Sequence, residues 1–322
     1  MLQVRNLSVT YRARGGPGVA AVRGVNFEIP DNTFVGLVGE SGCGKSTLGF
    51  AIAGLLDENR NAVEGQVLLD GQDLYKLSPE QIRALRWSKL SVVLQGGMNA
   101  FNPVLRIKHQ FMDVMRAHAN LSKSEMMERI ASLLAAVELD RAVMESYPHE
   151  LSGGMKQRVA IALALVLEPR LVILDEPTTA LDVVVQRSIV AMLRDLQQKL
   201  GFSVLFISHD LGLVLEVAHR VMVMYAGQIV EDRKAELVIE QAEHPYTRAL
   251  LGCYANPRAT KVSLTGIPGT PPDLREHLTG CPFAPRCTKR MDVCTTETPR
   301  LQKHGAGMVS CHLFANEEVS AR

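Results

Sequence analysis

The chain has 322 residues, 47% of them apolar and 21% charged, with a formal net charge of +1. This composition supports a sizeable core and excludes global disorder; the near-neutral balance offers no footprint for nucleic acid or an anionic membrane surface. The opening Met1-Leu2-Gln3-Val4-Arg5-Asn6 lacks the basic start and apolar run of a secretory leader. The most apolar stretch, Val159 to Leu174, is broken by Glu168, Pro169 and Arg170, so it falls short of the roughly 20 apolar residues a spanning helix needs. A cytoplasmic chain is expected, with any membrane role coming through partners.

In chain order, Val4 to Tyr11 and Val25 to Ile29 carry strand patterns, and Thr33 to Val38 is an apolar strand running into a glycine-rich turn. A helix is expected over Ser46 to Leu56, strands over Gln66 to Leu69 and Leu90 to Leu94, and a helix opened by Ser78-Pro79-Glu80-Gln81, a capping box with proline in the first turn. The stretch from about 103 to 167 reads as helical, with Ser122 and Glu125 capping Met126 to Val137. Leu171 to Leu174 and Val204 to Ile207 are short apolar runs suited to strands buried on both faces, joined by a helix Val183 to Leu200 that stops at Gly201. Strands alternating with helices predict an α/β core, with the central helices as an insertion. After about residue 256 the composition shifts: seven of the fifteen prolines and four of the six cysteines lie there, which predicts a small loop-rich extension.

Gly39-Glu40-Ser41-Gly42-Cys43-Gly44-Lys45-Ser46 has the G-x-x-x-x-G-K-[ST] spacing between a predicted strand and a predicted helix. The glycines let successive backbone N–H groups turn around phosphate oxygens, and the helix N-terminus adds its positive dipole end. Lys45 can reach β- and γ-phosphates and the Ser46 hydroxyl can ligate Mg²⁺; Cys43 reads as a small filler and not a nucleophile. Leu171 to Leu174 ends in Asp175-Glu176, placing two acids at a carboxyl edge where open α/β sheets bind ligands. Asp175 is expected to hold Mg²⁺ through water and Glu176 to polarise the attacking water as general base.

Leu151-Ser152-Gly153-Gly154-Met155-Lys156-Gln157-Arg158 closely resembles the signature of ABC ATPases. The resemblance, over roughly residues 1–255, implies a P-loop ABC ATPase core with an antiparallel β subdomain, a helical subdomain at about 103–167 and a C-terminal extension, 256–322. It implies a dimer in which Ser152, Gly153 and Gly154 of one subunit close over ATP held by Gly39, Ser41, Gly42, Cys43, Gly44, Lys45, Ser46 and Thr47 of another. In register, Tyr11 corresponds to the aromatic that stacks on adenine, and Gln95 to the glutamine that senses γ-phosphate and Mg²⁺. Asp182, in Ala180-Leu181-Asp182, matches the loop connecting the two sites, and His209 the histidine on γ-phosphate.

Within that family, Met98-Asn99-Ala100-Phe101-Asn102-Pro103 and the tail Pro268-Gly269-Thr270-Pro271-Pro272 with Gly280-Cys281-Pro282-Phe283-Ala284-Pro285-Arg286-Cys287 resemble the dipeptide, oligopeptide and nickel importer ATPases. The Gly96-Gly97 pair departs from their commoner acidic form. The implied activity is ATP hydrolysis powering import of peptides, with oligosaccharides or nickel complexes as alternative solutes. The implied partners are a second homologous ATPase subunit forming a heterodimer, two permease subunits and an extracytoplasmic solute-binding protein, with this chain peripheral on the cytoplasmic face. An exporter ATPase shares the nucleotide motifs but not the tail. A soluble ABC ATPase of DNA repair or translation is disfavoured by the near-neutral charge and the lack of long coiled-coil heptads. Cys281, Cys287, Cys294 and Cys311, separated by five, six and sixteen residues, lack the tight pairs of structural zinc. Some relatives carry a [4Fe–4S] cluster at such cysteines, so a cluster is expected, with zinc and free thiols as alternatives. Cys253 is expected to pack within a helix.

Overall fold

The computed structural model describes residues 1–12, 16–57, 60–97, 100–253 and 266–315. Met98 and Asn99 of the expected importer-like stretch, and the expected domain boundary at 255/256, lie outside them. The first elements are β1 (Leu2–Tyr11), β2 (Val19–Ile29), β3 (Phe34–Val38), α1 (Lys45–Ile52), β4 (Asn61–Leu69) and β5 (Gln72–Asp73). Next come α2 (Pro79–Leu85), β6 (Leu90–Val93), α3 (Ile107–His118), α4 (Lys123–Ala136), α5 (Gly153–Ala164), β7 (Leu171–Asp175), α6 (Val183–Leu200) and β8 (Ser203–Ser208). The chain continues through α7 (Leu211–Leu215), β9 (Arg220–Tyr225), β10 (Gln228–Lys234), α8 (Ala235–Gln241) and α9 (Pro245–Gly252). It ends in α10 (Val293–Thr296), β11 (Gln302–His304) and β12 (Gly307–Val309). Two units emerge: Met1–Ile29, Val35–Tyr75 and Ser208–Arg322 form one, Pro30–Phe34 and Lys76–Ile207 the other.

The first unit holds an antiparallel sheet in the order β2-β1-β4-β5 and a ladder β11-β12-β10-β9-β3, in which β9 runs parallel to β3. The apolar phase of β1 slips from even to odd positions: Leu2 and Val4 are buried, then Leu7 and Val9. A bulge at Asn6, with φ 47°, breaks the register against β4 between Arg5 and Ser8 and returns the later residues to the core face. Helix α1 is shorter than its pattern predicts. Gly54, at φ 60°, closes it as the Leu55 N–H reaches the Phe50 carbonyl and the Gly54 N–H that of Ala51, a glycine-terminated end of Schellman type.

The extension is loop-rich, yet it is stitched into this unit. Strand β12 pairs with β10 (Glu231 opposite Val309), the Ala20 N–H donates to the Leu274 carbonyl at 3.0 Å, and Phe283, 3% exposed, enters an aromatic group. Its ring centroid lies 5.3 Å from that of Tyr225 and 5.4 Å from that of Tyr246. Cys253 is exposed at the C-cap of α9, contrary to its expected packing, because the helix ends one residue before it.

The second unit carries the parallel ladder β8-β7-β6, with β7 and the β8 residues 203–207 wholly buried. The capping boxes at Ser78/Gln81 and Ser122/Glu125 both form, and α6 runs from an Asp182 cap to Gly201 in the left-handed region, as its sequence predicts. Helices α3, α4 and α5 occupy the stretch expected to be helical. Among the described residues no helix is long and apolar enough to cross a membrane.

Candidate nucleotide site

Strand β3 delivers the chain into the glycine-rich loop, and α1 begins at Lys45 with Gly44 as its cap at φ 108°. A Cβ on Gly44 would lie 2.1 Å from the Ala21 carbonyl oxygen, and one on Gly39 2.2 Å from that of Met224. Both glycines are thus demanded by backbone packing, and the loop is a bare-backbone cradle. Lys45 is 5% exposed, with Nζ donating to the carbonyls of Gly39 at 2.7 Å and Glu40 at 3.0 Å. The ammonium rests on the loop's own oxygens, poised for phosphate, and the adjoining hydroxyls of Ser46 and Thr47 suit a hard cation or phosphate. This donor set fits MgATP. Burial pushes the Cys43 thiol up, in keeping with a packing role. Tyr11, at the end of β1, has its hydroxyl 3.0 Å from that of Thr47.

In the second unit, Val93 pairs with Leu174 and Asp175 with Ile207, so the ends of β6 and β7 share one carboxyl edge. Gln95 is exposed there, two residues beyond β6, and Asp175, 1% exposed, ends β7. Glu176 follows at φ 45°, its N–H donating to Ile207 O at 2.9 Å and its carboxylate accepting from the Thr179 hydroxyl at 2.9 Å. A left-handed glutamate is a sparsely populated conformation of the kind that clusters at working sites. It turns the chain immediately after Asp175, separating the two neighbouring carboxylates.

Ser152 caps α5, its hydroxyl accepting from the Met155 N–H at 3.3 Å, and remains exposed with Gly153 at the helix N-terminus. A Cβ on Gly154 would lie 2.8 Å from Val185 Cγ1, so this glycine lets α5 approach the start of α6. Asp182 sits at that start, where its carboxylate accepts the N–H groups of Val184 and Val185 at 3.1 and 3.0 Å. The signature residues and Asp182 therefore lie beside one another. His209 is exposed directly after β8, in a turn where the Asp210 N–H donates to Ser208 Oγ at 3.0 Å.

None of the four tail cysteines is in a disulfide. Burial pushes Cys281 up to about 11, with Cys294, Cys311 and Cys287 raising it further. Burial also raises Cys287 and Cys311. They are near enough to feel one another, but among the described residues no group of three or more His, Cys, Asp or Glu side chains is arranged to hold a metal ion. The expected cluster cage is therefore not preformed. Of its would-be ligands Cys294 is buried and Cys281, Cys287 and Cys311 are partly buried.

Sequence reasoning missed the partners of Glu40. Its carboxylate pairs with Arg286 and its N–H donates to the Tyr246 phenol. The acid inside a phosphate loop was visible, but its partners lie more than 200 residues away in sequence and only the fold joins them.

Comparison with known proteins accords with this geometry. The ABC transporter family model matches residues 22–179, the oligopeptide/dipeptide transporter C-terminal region residues 230–294, and an AAA domain model (putative AbiEii toxin, Type IV TA system) the overlapping residues 144–216. The dipeptide transport ATP-binding protein DppD of Bacillus subtilis is 41% identical over 302 residues, 93% of this chain and 90% of that protein. The oligopeptide transport ATP-binding protein OppD of Salmonella typhimurium is 40% identical over 301 residues, 93% and 89% of the two chains. Among solved structures, the dimeric ABC transporter cassette MJ0796 superposes with a TM-score of 0.65 at 29% identity, covering 73% of this chain and 99% of the cassette. The same cassette in a post-hydrolysis state with ADP and Pi gives the same score at 28% identity. The chain belongs to the ABC transporter ATP-binding subunits, in the branch that carries the oligopeptide/dipeptide C-terminal region.

Proposed function

We propose that the chain binds and hydrolyses MgATP to drive uptake of di- or oligopeptides through an ABC importer. The observation that carries the peptide reading is that likeness to peptide-transport ATPases runs through the C-terminal region as well as the cassette. In this reading Tyr11 stacks on adenine, and Gly39, Ser41, Gly42, Cys43, Gly44, Lys45 and Thr47 bind phosphates. Ser46 and Gln95 ligate Mg²⁺, with Asp175 holding it through water. Glu176 is the general base, and Gln95 and His209 sense γ-phosphate. Ser152, Gly153 and Gly154 act on the ATP of a partner subunit, with Asp182 linking the sites. The domain division is a nucleotide-binding domain, 1–255, with its helical subdomain at about 103–167, and an extension, 256–322.

The partners are a second homologous ATPase subunit, two permeases and an extracytoplasmic binding protein, and the chain sits peripherally on the cytoplasmic face. A [4Fe–4S] cluster at Cys281, Cys287, Cys294 and Cys311 is the finer part of the reading, supported by four thiols close enough to interact. Iron and sulfide should be recovered after anaerobic purification and lost in Cys287→Ser; their absence from the wild type would remove the cluster.

Affinity purification of the tagged chain from its native membranes tests the importer reading. Two permeases, a second ATPase and a solute-binding protein whose ligands are peptides are expected. Ribosomes, repair factors or no membrane protein would leave an ATPase without a transporter.

A further inference from the structure

Glu40, the second residue of the phosphate loop, is held at each of its polar groups. Its N–H donates to the Tyr246 phenol at 2.9 Å, its carbonyl accepts from Lys45 Nζ at 3.0 Å, and its carboxylate takes both terminal nitrogens of Arg286, at 2.6 and 2.9 Å. The Arg286 side chain is only 4% exposed. Its Nε donates to the Pro268 carbonyl at 2.8 Å and a terminal nitrogen to the Tyr225 hydroxyl at 3.3 Å. The guanidinium carbon lies 5.8 Å from the Tyr225 ring centroid and 6.0 Å from that of Phe283. A guanidinium fixed by a carbonyl and two rings is pre-organised, and its planar fork matches a carboxylate in a way a lysine ammonium cannot.

A carboxylate inside a loop that must receive a triphosphate opposes that ligand by its charge, more strongly where solvent is thin. It also belongs to the residue whose carbonyl supports Lys45. We propose that Arg286 is a positioning residue for MgATP: it neutralises Glu40 and fixes the loop backbone beneath Lys45, making the C-terminal extension part of the nucleotide site. A salt bridge that served only to anchor the extension would need no partner in the phosphate loop. Here a tail cation only 4% exposed is aimed at the loop's one acid. The cavity of about 360 Å³ beside it places tail and loop side by side again, with Pro271 to Arg275 on one wall and Glu40 to Cys43 on the other. The inference rests on the reading that this loop holds the phosphates of ATP.

The test uses the full-length purified chain, MgATP titrated calorimetrically and hydrolysis measured in the steady state, for wild type, Arg286→Ala, Arg286→Lys, Glu40→Gln, the double variant Glu40→Gln/Arg286→Ala, and Lys45→Ala as a control for loss of the site. Arg286→Ala is expected to raise Kd and KM for MgATP about tenfold, the scale of an unmasked, partly buried charge, with kcat within about twofold. The double variant should recover most of the affinity, because no carboxylate is left to unmask. An unchanged Kd in Arg286→Ala, or a double variant as weak as the single, would overturn the proposal in favour of a purely architectural bridge. Should Arg286→Ala not fold, Arg286→Lys carries the test: affinity about threefold weaker, restored by Glu40→Gln, is expected for a charge kept without its fork, and wild-type affinity overturns it. A wild-type chain that fails to bind MgATP would sink the nucleotide reading itself, a result distinct from either.

Discussion

The hydroxyl of Tyr11, the last residue of β1, lies 3.0 Å from the hydroxyl of Thr47 in the first turn of α1. The bond fixes the tip of the aromatic ring against the helix that follows the phosphate loop, and on the proposed reading the ring is the platform for adenine. Tyr11→Phe should keep the platform and weaken MgATP binding by no more than about threefold, the worth of one hydrogen bond. Tyr11→Ala should weaken it by about tenfold, the scale of an aromatic stack. Binding titrations of the two variants separate these roles; equal losses would mean that the hydroxyl and not the ring matters.

Glu176 holds a left-handed backbone and accepts a hydrogen bond from Thr179, so its carboxylate is oriented before any substrate arrives. Glu176→Gln keeps the shape and removes the proposed base. MgATP affinity should stay within about twofold while turnover falls by about 10²- to 10⁴-fold. Single-turnover hydrolysis beside equilibrium binding checks both halves, and turnover near wild type would move the base elsewhere.

The elements readable in sequence were those whose determinants are local. Both capping boxes, the Asp182-to-Gly201 limits of α6 and the loop between β3 and α1 are written in adjacent residues. The end of α1 was misplaced because the apolar pattern runs past Gly54, and a left-handed glycine outweighs periodicity once the chain can close on its own carbonyls. Strand β4 extends back to Asn61, beyond the Gln66 start that its own residues suggest, because β1 supplies the pairing: Tyr11 lies opposite Asn61. The tail's integration was invisible for the same reason. Strands β11 and β12 are three residues each and take their order from β10, and Phe283 is held by two tyrosines far away in sequence.

Gly44 offers the sharpest test of the cradle. At φ 108°, with a Cβ position 2.1 Å from the Ala21 carbonyl oxygen, alanine would meet strain and a backbone clash together. Gly44→Ala should lose detectable MgATP binding and lower stability by at least about 1 kcal/mol. Gly42, whose Cβ position meets nothing within 4 Å, should tolerate alanine better in stability while still impairing binding through its φ of 78°. Thermal denaturation with and without MgATP distinguishes the two.

Arg233 is 2% exposed and lies between Glu231, at 3.1 Å, and Glu243, at 2.6 Å, while Glu231 also accepts the N–H groups of Glu243 and His244. Removing the cation leaves Glu231 with its two N–H donors alone and Glu243 with His304, at 2.8 Å. Arg233→Ala should cost about 3–5 kcal/mol in urea denaturation. Replacing Arg233 and Glu243 together should cost less than the sum of the two single changes, as expected for members of one network.

His244 ties stability to pH through α9. Burial lowers its pKa to about 3, and its Nδ1 accepts the Tyr246 N–H at 3.0 Å as the cap of the helix. Protonating that nitrogen would remove the acceptor. The unfolded chain takes up the proton near pH 6.5 and the folded chain only near pH 3, so between these values the unfolded state binds more protons and stability falls as pH falls. The contribution is complete above about pH 6.5. At pH 5 the gap of about 1.5 units corresponds to a loss of about 2 kcal/mol relative to pH 7. His244→Asn keeps a side-chain oxygen able to cap Tyr246 and carries no titrating group. The variant should be less stable at pH 7, because a smaller side chain fills the site, but its urea midpoint should change less between pH 7 and pH 5 than that of the wild type. Parallel slopes would show that the acid sensitivity of this region comes from other groups, with the buried imidazole contributing nothing to it.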